Sequence, residues 1–183
     1  MAAETVLMTV EEFAALPPTD NFTELVRGVV VESPLRGFRH GVVCANVGFA
    51  LFDYVRPRKL GWACSNNVGV ITRRNPDTVR GPDLVFISNE RLPSISKVHG
   101  YAEQPPELVV EVRSPEDRLW QLTKKVAEYL DAGVEAVCVV NPQEKIVSIV
   151  SRGFAARVLT ESDELTLPEV FADFRVPVQA FFE

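Results

Sequence analysis

The chain has few of the residues that usually form disulfides or bind soft metals. Its 183 residues include three cysteines, with no Cys-x-x-Cys pair among them, and two widely separated histidines, His40 and His99. Three dispersed cysteines fit neither a disulfide framework nor a zinc-finger spacing, and two distant histidines do not suggest a histidine-based metal site. We therefore interpret Cys44, Cys64 and Cys138 as small buried apolar side chains.

Long apolar runs are also absent from the chain. No segment approaches the roughly 18–20 consecutive apolar residues that a membrane-spanning helix needs. The first residues, MAAETVLMTVEEF, contain neither a basic region nor a long apolar stretch, so they lack the pattern of a signal peptide. We therefore expect a cytoplasmic protein with no membrane partner.

Basic residues are outnumbered: 19 lysines and arginines stand against 25 aspartates and glutamates, for a net charge of −6. A large nucleic-acid-binding surface is usually basic, so this balance argues against a large surface but not against a small one. A metal site made of carboxylates is itself acidic until its cation binds. The charge therefore leaves a carboxylate metal site open.

The common nucleotide-binding and hydrolase motifs are missing. The chain has no GxGxxG, GxxxxGK[ST], GxSxG or HExxH sequence, so dinucleotide-binding, P-loop, serine-hydrolase and zinc-protease functions lack support. Hydrophobic residues make up 46% and charged residues 24% of the chain, which is typical of a globular protein. The length predicts a single domain, 1–183.

Hydrophobic periodicity predicts helices and strands in alternation. Thr9 and Glu12 form a capping box for a short first helix, and Gly28 turns between two strands over 22–33. A second helix is expected over 39–55, ending before Pro57, and a third over 115–132, with acidic residues in its first turn and a glycine after its end. Further strands are expected at 61–74, 82–87, 106–114, 134–141 and 144–152.

This order of elements predicts an α/β fold in which helices flank a mixed central β-sheet. The core is expected to cover about residues 9–150. One or two C-terminal strands and a short closing helix would complete the same domain.

Two carboxylates are predicted to meet at the ends of neighbouring strands. Asp83 begins the short apolar strand PDLVFI, and Glu111 lies near the end of the apolar strand PELVVEV. If these strands pair antiparallel, the start of one lies beside the end of the other, with Cβ atoms about 4.5–5.5 Å apart. Two carboxylates at that distance repel each other unless a cation lies between them. The sequence therefore predicts a divalent-cation site, and Mg²⁺ suits such oxygen ligands.

The helix that follows Glu111 offers a third functional group. At about 100° per residue, one face of this helix is apolar and comprises Leu119, Leu122, Val126, Tyr129 and Leu130. Lys125 falls at the edge of that face, whereas Lys124 falls nearly opposite it, in solvent. Lys125 is therefore the lysine that can reach towards Glu111, to hold a phosphate oxygen or to orient an attacking water.

Taken in order, these segments resemble a known family. The PD dipeptide, the strand ending in VEV, the SPED turn, the Lys-x-x-x-Tyr helix that ends in AGV, and the NP turn are similar to the Uma-two type restriction endonucleases of the PD-(D/E)XK nuclease superfamily. The likeness runs from about residue 9 to residue 150 or beyond. It implies a restriction-endonuclease-like fold and a Mg²⁺-dependent (or Mn²⁺-dependent) endonuclease acting on nucleic acid, with DNA as the expected substrate. It also implies Asp83 and Glu111 as metal ligands.

The likeness has one departure and two further matches. The superfamily pattern places a lysine two residues after the second acid, where this chain has Arg113. Family members commonly carry a helix lysine instead, which corresponds to Lys125. Arg113 could contact phosphate, but it cannot act as a base because a guanidinium does not lose its proton. Upstream, Glu24 fits the pattern as an additional metal or supporting acid, and His40 as a residue that reaches the substrate.

Each of these residues also has a purely structural interpretation. Asp83 could cap a turn, Glu111 and Lys125 could form a buried ion pair, Glu24 could be a surface acid, and His40 could simply begin a helix. Three arginines that precede Asp83 are predicted to lie in a solvated loop: Arg73, Arg74 and Arg80.

Two other functions and an oligomeric state stay open. A catalytically inactive nuclease-like scaffold that binds nucleic acid or protein is favoured by the acidic net charge and by Arg113. A metal-dependent hydrolase of a smaller substrate has less support, because nothing in the sequence describes a closed apolar pocket. A homodimer is expected by analogy, since two sites most easily cut two strands.

Overall fold

The computed structural model describes residues 7–17, 19, 21–97 and 100–183. The start of the chain and His99 lie outside the described residues. The helices are α1 (Val10–Ala14), α2 (Phe38–Arg58) and α3 (Leu119–Ala132), with 3₁₀ turns at Leu92–Ser94 and Val178–Phe181. The strands are β1 (Phe22–Val26), β2 (Val29–Ser33), β3 (Gly61–Ser65), β4 (Val70–Arg73), β5 (Thr78–Arg80), β6 (Leu84–Ser88), β7 (Leu108–Val112), β8 (Ala136–Asn141), β9 (Ile146–Ser151), β10 (Arg157–Leu159), β11 (Glu164–Thr166) and β12 (Arg175–Pro177).

A six-stranded mixed sheet forms the centre of the fold. Its strand order is β10-β9-β8-β7-β6-β3. The β7–β8 pair is parallel and the other neighbours are antiparallel. The chain passes from β7 to β8 through α3, since two parallel strands need a long crossover connection. The prediction of an α/β fold with a mixed central sheet flanked by helices is confirmed.

The alternation of side chains along β7 decides which way Glu111 faces. Successive residues of a strand point to opposite faces of the sheet. Val110 and Val112 pack in the core on the α2 side, whereas Val109 packs in a second core with Tyr129 of α3. Glu111 shares the face of Val109, so it points towards α3.

A second, four-stranded sheet has the order β2-β1-β5-β4. The predicted hairpin at Gly28 is confirmed: β1 and β2 pair around Arg27 and Gly28, whose φ angles of 52° and 77° suit a tight hairpin turn. Strand β5 ends at Arg80 and β6 of the central sheet begins at Leu84. Three residues therefore connect β5 of this sheet to β6 of the central sheet, and Asp83 is the last of them.

The prediction of one strand over 61–74 is wrong. The segment forms β3 and β4, which belong to different sheets. Between them, Asn66 and Asn67 have φ angles of 73° and 55°. Asparagine tolerates this left-handed conformation because its side chain can bond locally, so the two residues turn the chain out of one sheet.

The predicted end of the second helix is also wrong. Helix α2 continues through Pro57 to Arg58, and Lys59 then ends it in the left-handed conformation. The helix extends this far because Val55 still packs in the core, where it is only 1% exposed. Pro57 has no N–H to donate to the carbonyl four residues earlier, so the helix continues through it with one intrahelical hydrogen bond fewer.

The third helix begins later than predicted. Helix α3 starts at Leu119 and has no acidic residue in its first turn. Asp117 instead accepts a hydrogen bond from the Ser114 N–H at 2.8 Å, which forms a turn before the helix. The predicted glycine at the other end is present, since Gly133 has φ 111° and closes the helix.

The C-terminal segment completes the core on the α2 side. Its strands β11 and β12 pair with each other, and the 3₁₀ turn ends the chain as a short closing helix. Cys138 is buried as expected, whereas Cys44 and Cys64 are half-buried at the margins of the core. Within the described ranges, no helix has both the length and the hydrophobicity needed to cross a membrane.

Candidate active site

Asp83 and Glu111 lie side by side at one end of the central sheet. Leu84 pairs with Val110 in the antiparallel register of β6 and β7, so Asp83 and Glu111 occupy the next position beyond that pair. Oδ2 of Asp83 accepts a hydrogen bond from the Val112 N–H at 2.7 Å, which fixes this carboxylate against β7. Both acids line a cavity of about 20 Å³, which is room for about one water molecule.

Glu111 is 6% exposed, and both of its hydrogen-bond donors reach the same oxygen. Tyr129 donates its phenolic proton to Oε1 over 2.7 Å, and Lys125 Nζ lies 3.3 Å from Oε1. Burial raises the pKa of Glu111. The positive charge of Lys125 lowers this pKa and the negative charge of Asp83 raises it further, and the net result is a raised pKa. Oε2 receives no hydrogen bond from the described residues, so it is available to a cation.

Glu24 of β1 reaches the same cavity from the second sheet. Its Oε2 accepts a hydrogen bond from Arg80 Nη1 at 2.8 Å, and its Oε1 accepts from the Gly81 N–H at 3.0 Å and lies 2.9 Å from Lys125 Nζ. Burial would raise the pKa of Glu24, but Lys125, Arg80 and the Gly81 N–H outweigh it and lower the pKa. Glu24 is thus no surface acid, and with both oxygens engaged it holds the lysine.

The ammonium of Lys125 lies between the carboxylates of Glu24 and Glu111. It reaches Glu111 as the helical spacing predicts, while Lys124 is exposed. Burial would lower the pKa of Lys125, but the charges of Glu111 and Glu24 outweigh burial and raise it. The side chain is therefore a fixed positive charge at neutral pH. It can donate hydrogen bonds, but it is not a base in this state.

Arg80 is buried, and its predicted place in a solvated loop is wrong. It ends β5 at 7% exposure, and its guanidinium lies 2.8 Å from Glu24 and donates from Nε to Glu128 of α3 at 2.8 Å. A buried guanidinium needs such partners, because an unpaired buried charge is strongly destabilising. Arg73 and Arg74 are exposed, as predicted.

Arg36 was not identified from the sequence, and it lies at the mouth of the site. It lines the cavity of Asp83 and Glu111 and also a larger cleft of about 330 Å³. Its Nη1 lies 2.9 Å from Asp117 Oδ1. Burial would lower the pKa of Arg36, but the hydrogen bond and charge of Asp117, followed by the charges of Asp83 and Glu111, raise it. This guanidinium is placed to contact an anion that enters the cleft.

His40 is buried beside Asp83 and does not cap its helix, which begins after Gly37. Its Nε2 lies 3.4 Å from Asp83 Oδ2, and its Nδ1 lies 3.5 Å from Cys44 Sγ, one turn further along α2. Burial raises the pKa of the Cys44 thiol to about 12, so this sulfur is protonated at neutral pH.

Arg113 follows the last residue of β7 and does not line the cavity of the acids. Its backbone N–H donates to the Val140 carbonyl at 2.8 Å, and its Nε is buried without a hydrogen-bond partner among the described residues. Arg113 therefore lies apart from the other predicted site residues. The structure brings those residues together: Glu24, His40, Asp83, Glu111 and Lys125.

The charges inside the cavity do not balance. Its three carboxylates share one lysine, while the two neighbouring arginines are each also paired with an outer acid. With all acids ionised, the group keeps two uncompensated negative charges, which a divalent cation would neutralise. Glu111 Oε2 and Asp83 Oδ1 accept no hydrogen bond from the described residues, so the cavity offers oxygen ligands as well as the charge that such an ion needs.

Comparisons with known proteins support the resemblance seen in the sequence. The family model named Uma2, with the description "Putative restriction endonuclease", matches residues 10–179. A crystal structure titled as that of "a putative nuclease belonging to DUF820 from Anabaena variabilis ATCC 29413" aligns with a TM-score of 0.82 at 18% identity, covering 96% of this chain and 97% of that chain. No curated protein gives a match. The predicted resemblance is confirmed by the family match, and the shared fold by the structural one.

Proposed function

This chain belongs to the Uma2 family, and on that premise we propose that it is a divalent-metal-dependent endonuclease that hydrolyses phosphodiester bonds in DNA. Mg²⁺ or Mn²⁺ is the proposed cofactor. Asp83 and Glu111 are its proposed ligands, and Lys125 is the third catalytic group.

The observation that carries the proposal is a pair of unpaired carboxylate oxygens beside a fixed ammonium. The hydrogen bonds to Glu111 and Asp83 leave Oε2 and Oδ1 without a donor from the described residues. Lys125 lies 3.3 Å from the other oxygen of Glu111. Hard divalent ions bind one or two carboxylates and often a substrate phosphate, and an ammonium beside them suits a phosphate whose negative charge increases during reaction.

Each neighbouring side chain has a task in this mechanism. Asp83 and Glu111 would hold the divalent ion, which would supply positive charge to the scissile phosphate and help to activate the attacking water. Lys125 donates hydrogen bonds to the attacking water or to a phosphate oxygen, because its raised pKa keeps it protonated. Glu24 and Arg80 position that lysine, and Tyr129 orients the Glu111 carboxylate.

The larger cleft provides a path for the substrate. Arg36, Arg118 and Lys124 line it together with Trp120. Cationic side chains bind the phosphates of a nucleic-acid strand, and an aromatic ring can stack on a base. Acidic side chains, among them Glu32, Glu116 and Asp117, line the same cleft in equal number to the cationic ones, so phosphate contacts there depend on individual side chains and not on a basic surface.

A nuclease-like scaffold that binds nucleic acid or protein without cleaving it is the second candidate. The observation that favours it is the ion-pair network itself, since Lys125 lies within 4 Å of both Glu24 and Glu111. Such a scaffold would keep its stability when divalent ions are removed.

The test is a cleavage assay on plasmid, single-stranded DNA and RNA, each with EDTA, Mg²⁺ or Mn²⁺. We expect wild type to nick or linearise plasmid only with a divalent ion, Asp83→Asn and Glu111→Gln to leave it intact, and Lys145→Met, which changes an exposed lysine outside the cleft, to cut like wild type. Cleavage of RNA alone would contradict the DNA assignment. Failure to cut any substrate, with no metal-dependent change in melting temperature, would favour the scaffold.

A further inference from the structure

The imidazole of His40 has no task in the mechanism above, although it lies against Asp83 in the protein interior. His40 is 7% exposed, and its Nε2 is buried without a hydrogen-bond partner among the described residues. Buried polar atoms nearly always have such a partner, so an exception needs an explanation.

Neither tautomer of His40 satisfies Nε2 in the present geometry. If Nδ1 carries the proton, it faces Cys44 Sγ at 3.5 Å, and the Nε2 lone pair is directed towards the Asp83 carboxylate, which repels it. If Nε2 carries the proton, the Asp83 oxygen at 3.4 Å does not receive it with hydrogen-bond geometry. A cation between the two atoms resolves the case in which Nδ1 carries the proton, because the cation attracts the Nε2 lone pair and the carboxylate together.

We propose that His40 Nε2 and the Asp83 carboxylate bind the same metal ion, and that the site therefore selects a first-row transition-metal dication over Mg²⁺. The inference depends on the proposed function only in taking Asp83 as a metal ligand. Two donors that are each about 2.1 Å from one ion lie about 3.0–3.4 Å apart, for right-angled to tetrahedral geometry. The Nε2–Oδ2 distance of 3.4 Å falls at the upper end of that range.

The chemistry of the donor set gives the selectivity. Imidazole nitrogen suits transition metals, and affinity for such sites rises from Mn²⁺ through Fe²⁺ to Co²⁺, whereas Mg²⁺ prefers oxygen ligands alone. His40, Cys44 and Asp83 form a group whose potential ligand atoms all lie within 4.8 Å of one another. A cavity of about 270 Å³ beside them leaves room for water ligands.

Cys44 has the position of a group that orients the imidazole ring. The second ring nitrogen of a metal-bound histidine usually bonds to an outer group that fixes the ring, and Sγ lies 3.5 Å from Nδ1. A protonated thiol is a weak metal ligand, because thiolate is the form that binds metals. The structure therefore favours nitrogen and oxygen ligands at this centre, with sulfur outside it.

The test is isothermal titration of the full chain with MnCl₂, CoCl₂ and MgCl₂. We expect wild type to bind Mn²⁺ and Co²⁺ at least about tenfold more tightly than Mg²⁺. His40→Ala should lose this preference while keeping its Mg²⁺ affinity within about threefold, and its Mg²⁺ binding reports that it is folded. Cys44→Ser, which keeps a partner for Nδ1, should retain the preference. An unchanged preference in His40→Ala, or its loss in Cys44→Ser alone, would overturn the assignment.

A second measurement needs no variant. Pulsed electron paramagnetic resonance of the Mn²⁺-loaded wild type should show coupling to a coordinated imidazole nitrogen, and its absence would overturn the inference. Because both readouts report binding, a wild type that binds Mn²⁺ through imidazole but cuts no nucleic acid would refute the proposed function alone. An unchanged metal preference in His40→Ala, with metal-dependent cleavage intact in wild type, would refute the His40 assignment alone.

Discussion

Lys125 Nζ lies 2.9 Å from Glu24 Oε1, which joins the third helix to the first strand of the smaller sheet. The two residues are about a hundred positions apart in the chain, and each belongs to a different layer of the fold. The contact fixes the ammonium beside Glu111, so the position of the proposed third catalytic group depends on a carboxylate outside the central sheet.

Replacing this lysine should abolish cleavage without unfolding the chain. Lys125→Met removes the hydrogen-bond donor to water or phosphate, and we expect the rate constant of DNA cleavage to fall by about 10²–10³-fold, as when a donor to developing negative charge is removed. The control is Lys145→Met, which removes the same charge from an exposed lysine outside the cleft. Equal rates for the two variants would remove Lys125 from the mechanism.

Glu24→Gln should destabilise the protein at neutral pH. Its carboxylate is paired with Arg80 and Lys125, and breaking a buried ion pair from one side costs about 3–5 kcal/mol. The folded-state pKa of Glu24 is lowered, so its contribution to stability is present above the unfolded value near 4.5 and is lost as pH falls below it. Chemical denaturation at pH 7 and pH 4 should show a penalty that shrinks at the lower pH.

Glu111→Gln should have the opposite effect in metal-free buffer. Because the pKa of Glu111 is raised in the folded state, its contribution is greatest below about pH 4.5 and is lost as pH rises through the folded value. The neutral amide avoids that loss, so the variant should be more stable than wild type at pH 7, on the order of 1 kcal/mol or about 2–4 °C in Tm for a domain of this size. A lower Tm at pH 7 than wild type would contradict the raised pKa.

Divalent ions should stabilise wild type and fail to stabilise Asp83→Asn. At a hundredfold excess over Kd, binding to the native state adds about 2.7 kcal/mol, which corresponds to about 5–10 °C in Tm. Differential scanning fluorimetry with EDTA, Mg²⁺ and Mn²⁺ measures this directly. An equal shift in wild type and in Asp83→Asn would place the bound ion elsewhere.

Arg36→Met should lower the catalytic efficiency of DNA cleavage. We expect the Arg36 guanidinium to leave Asp117 and contact a phosphate, and a hydrogen bond to a charged group contributes about 1.5–3 kcal/mol. The kcat/KM for a labelled duplex should therefore fall by about tenfold or more. Arg39→Met removes an exposed arginine of the same region and should leave kcat/KM unchanged; a matching loss there would indicate a general charge effect.

The pairing of Asp83 with Glu111 could be predicted because it depends on local patterns. Two apolar strands with an acid at the start of one and near the end of the other place these acids together once the strands pair antiparallel. The side of α3 on which Lys125 lies follows from its helical spacing in the same way.

The role of Arg80 could not be predicted, because it depends on partners that are distant in the chain. Arginines in a polar segment such as TRRNPDTVRG usually lie in solvent, and only the packing of the second sheet against α3 brings Glu24 and Glu128 to this one. The sequence signal that remained was alternation around Val79, too short to predict a strand. Arg36 lay in a polar stretch with no periodicity, and the histidine count gave no reason to place His40 beside an acid.

The three-residue connection between β5 and β6 has a consequence for how the protein matures. It places Arg80 at the end of one sheet and Asp83 directly before the first residue of a strand in the other. Asp83 and Glu111 therefore belong to the central sheet, whereas Glu24 and Arg80, which position the Lys125 ammonium, belong to the smaller one. A nascent copy whose smaller layer is still undocked lacks part of the proposed catalytic site. Cutting competence would thus emerge last, and half-formed molecules would be harmless to the nucleic acid around them.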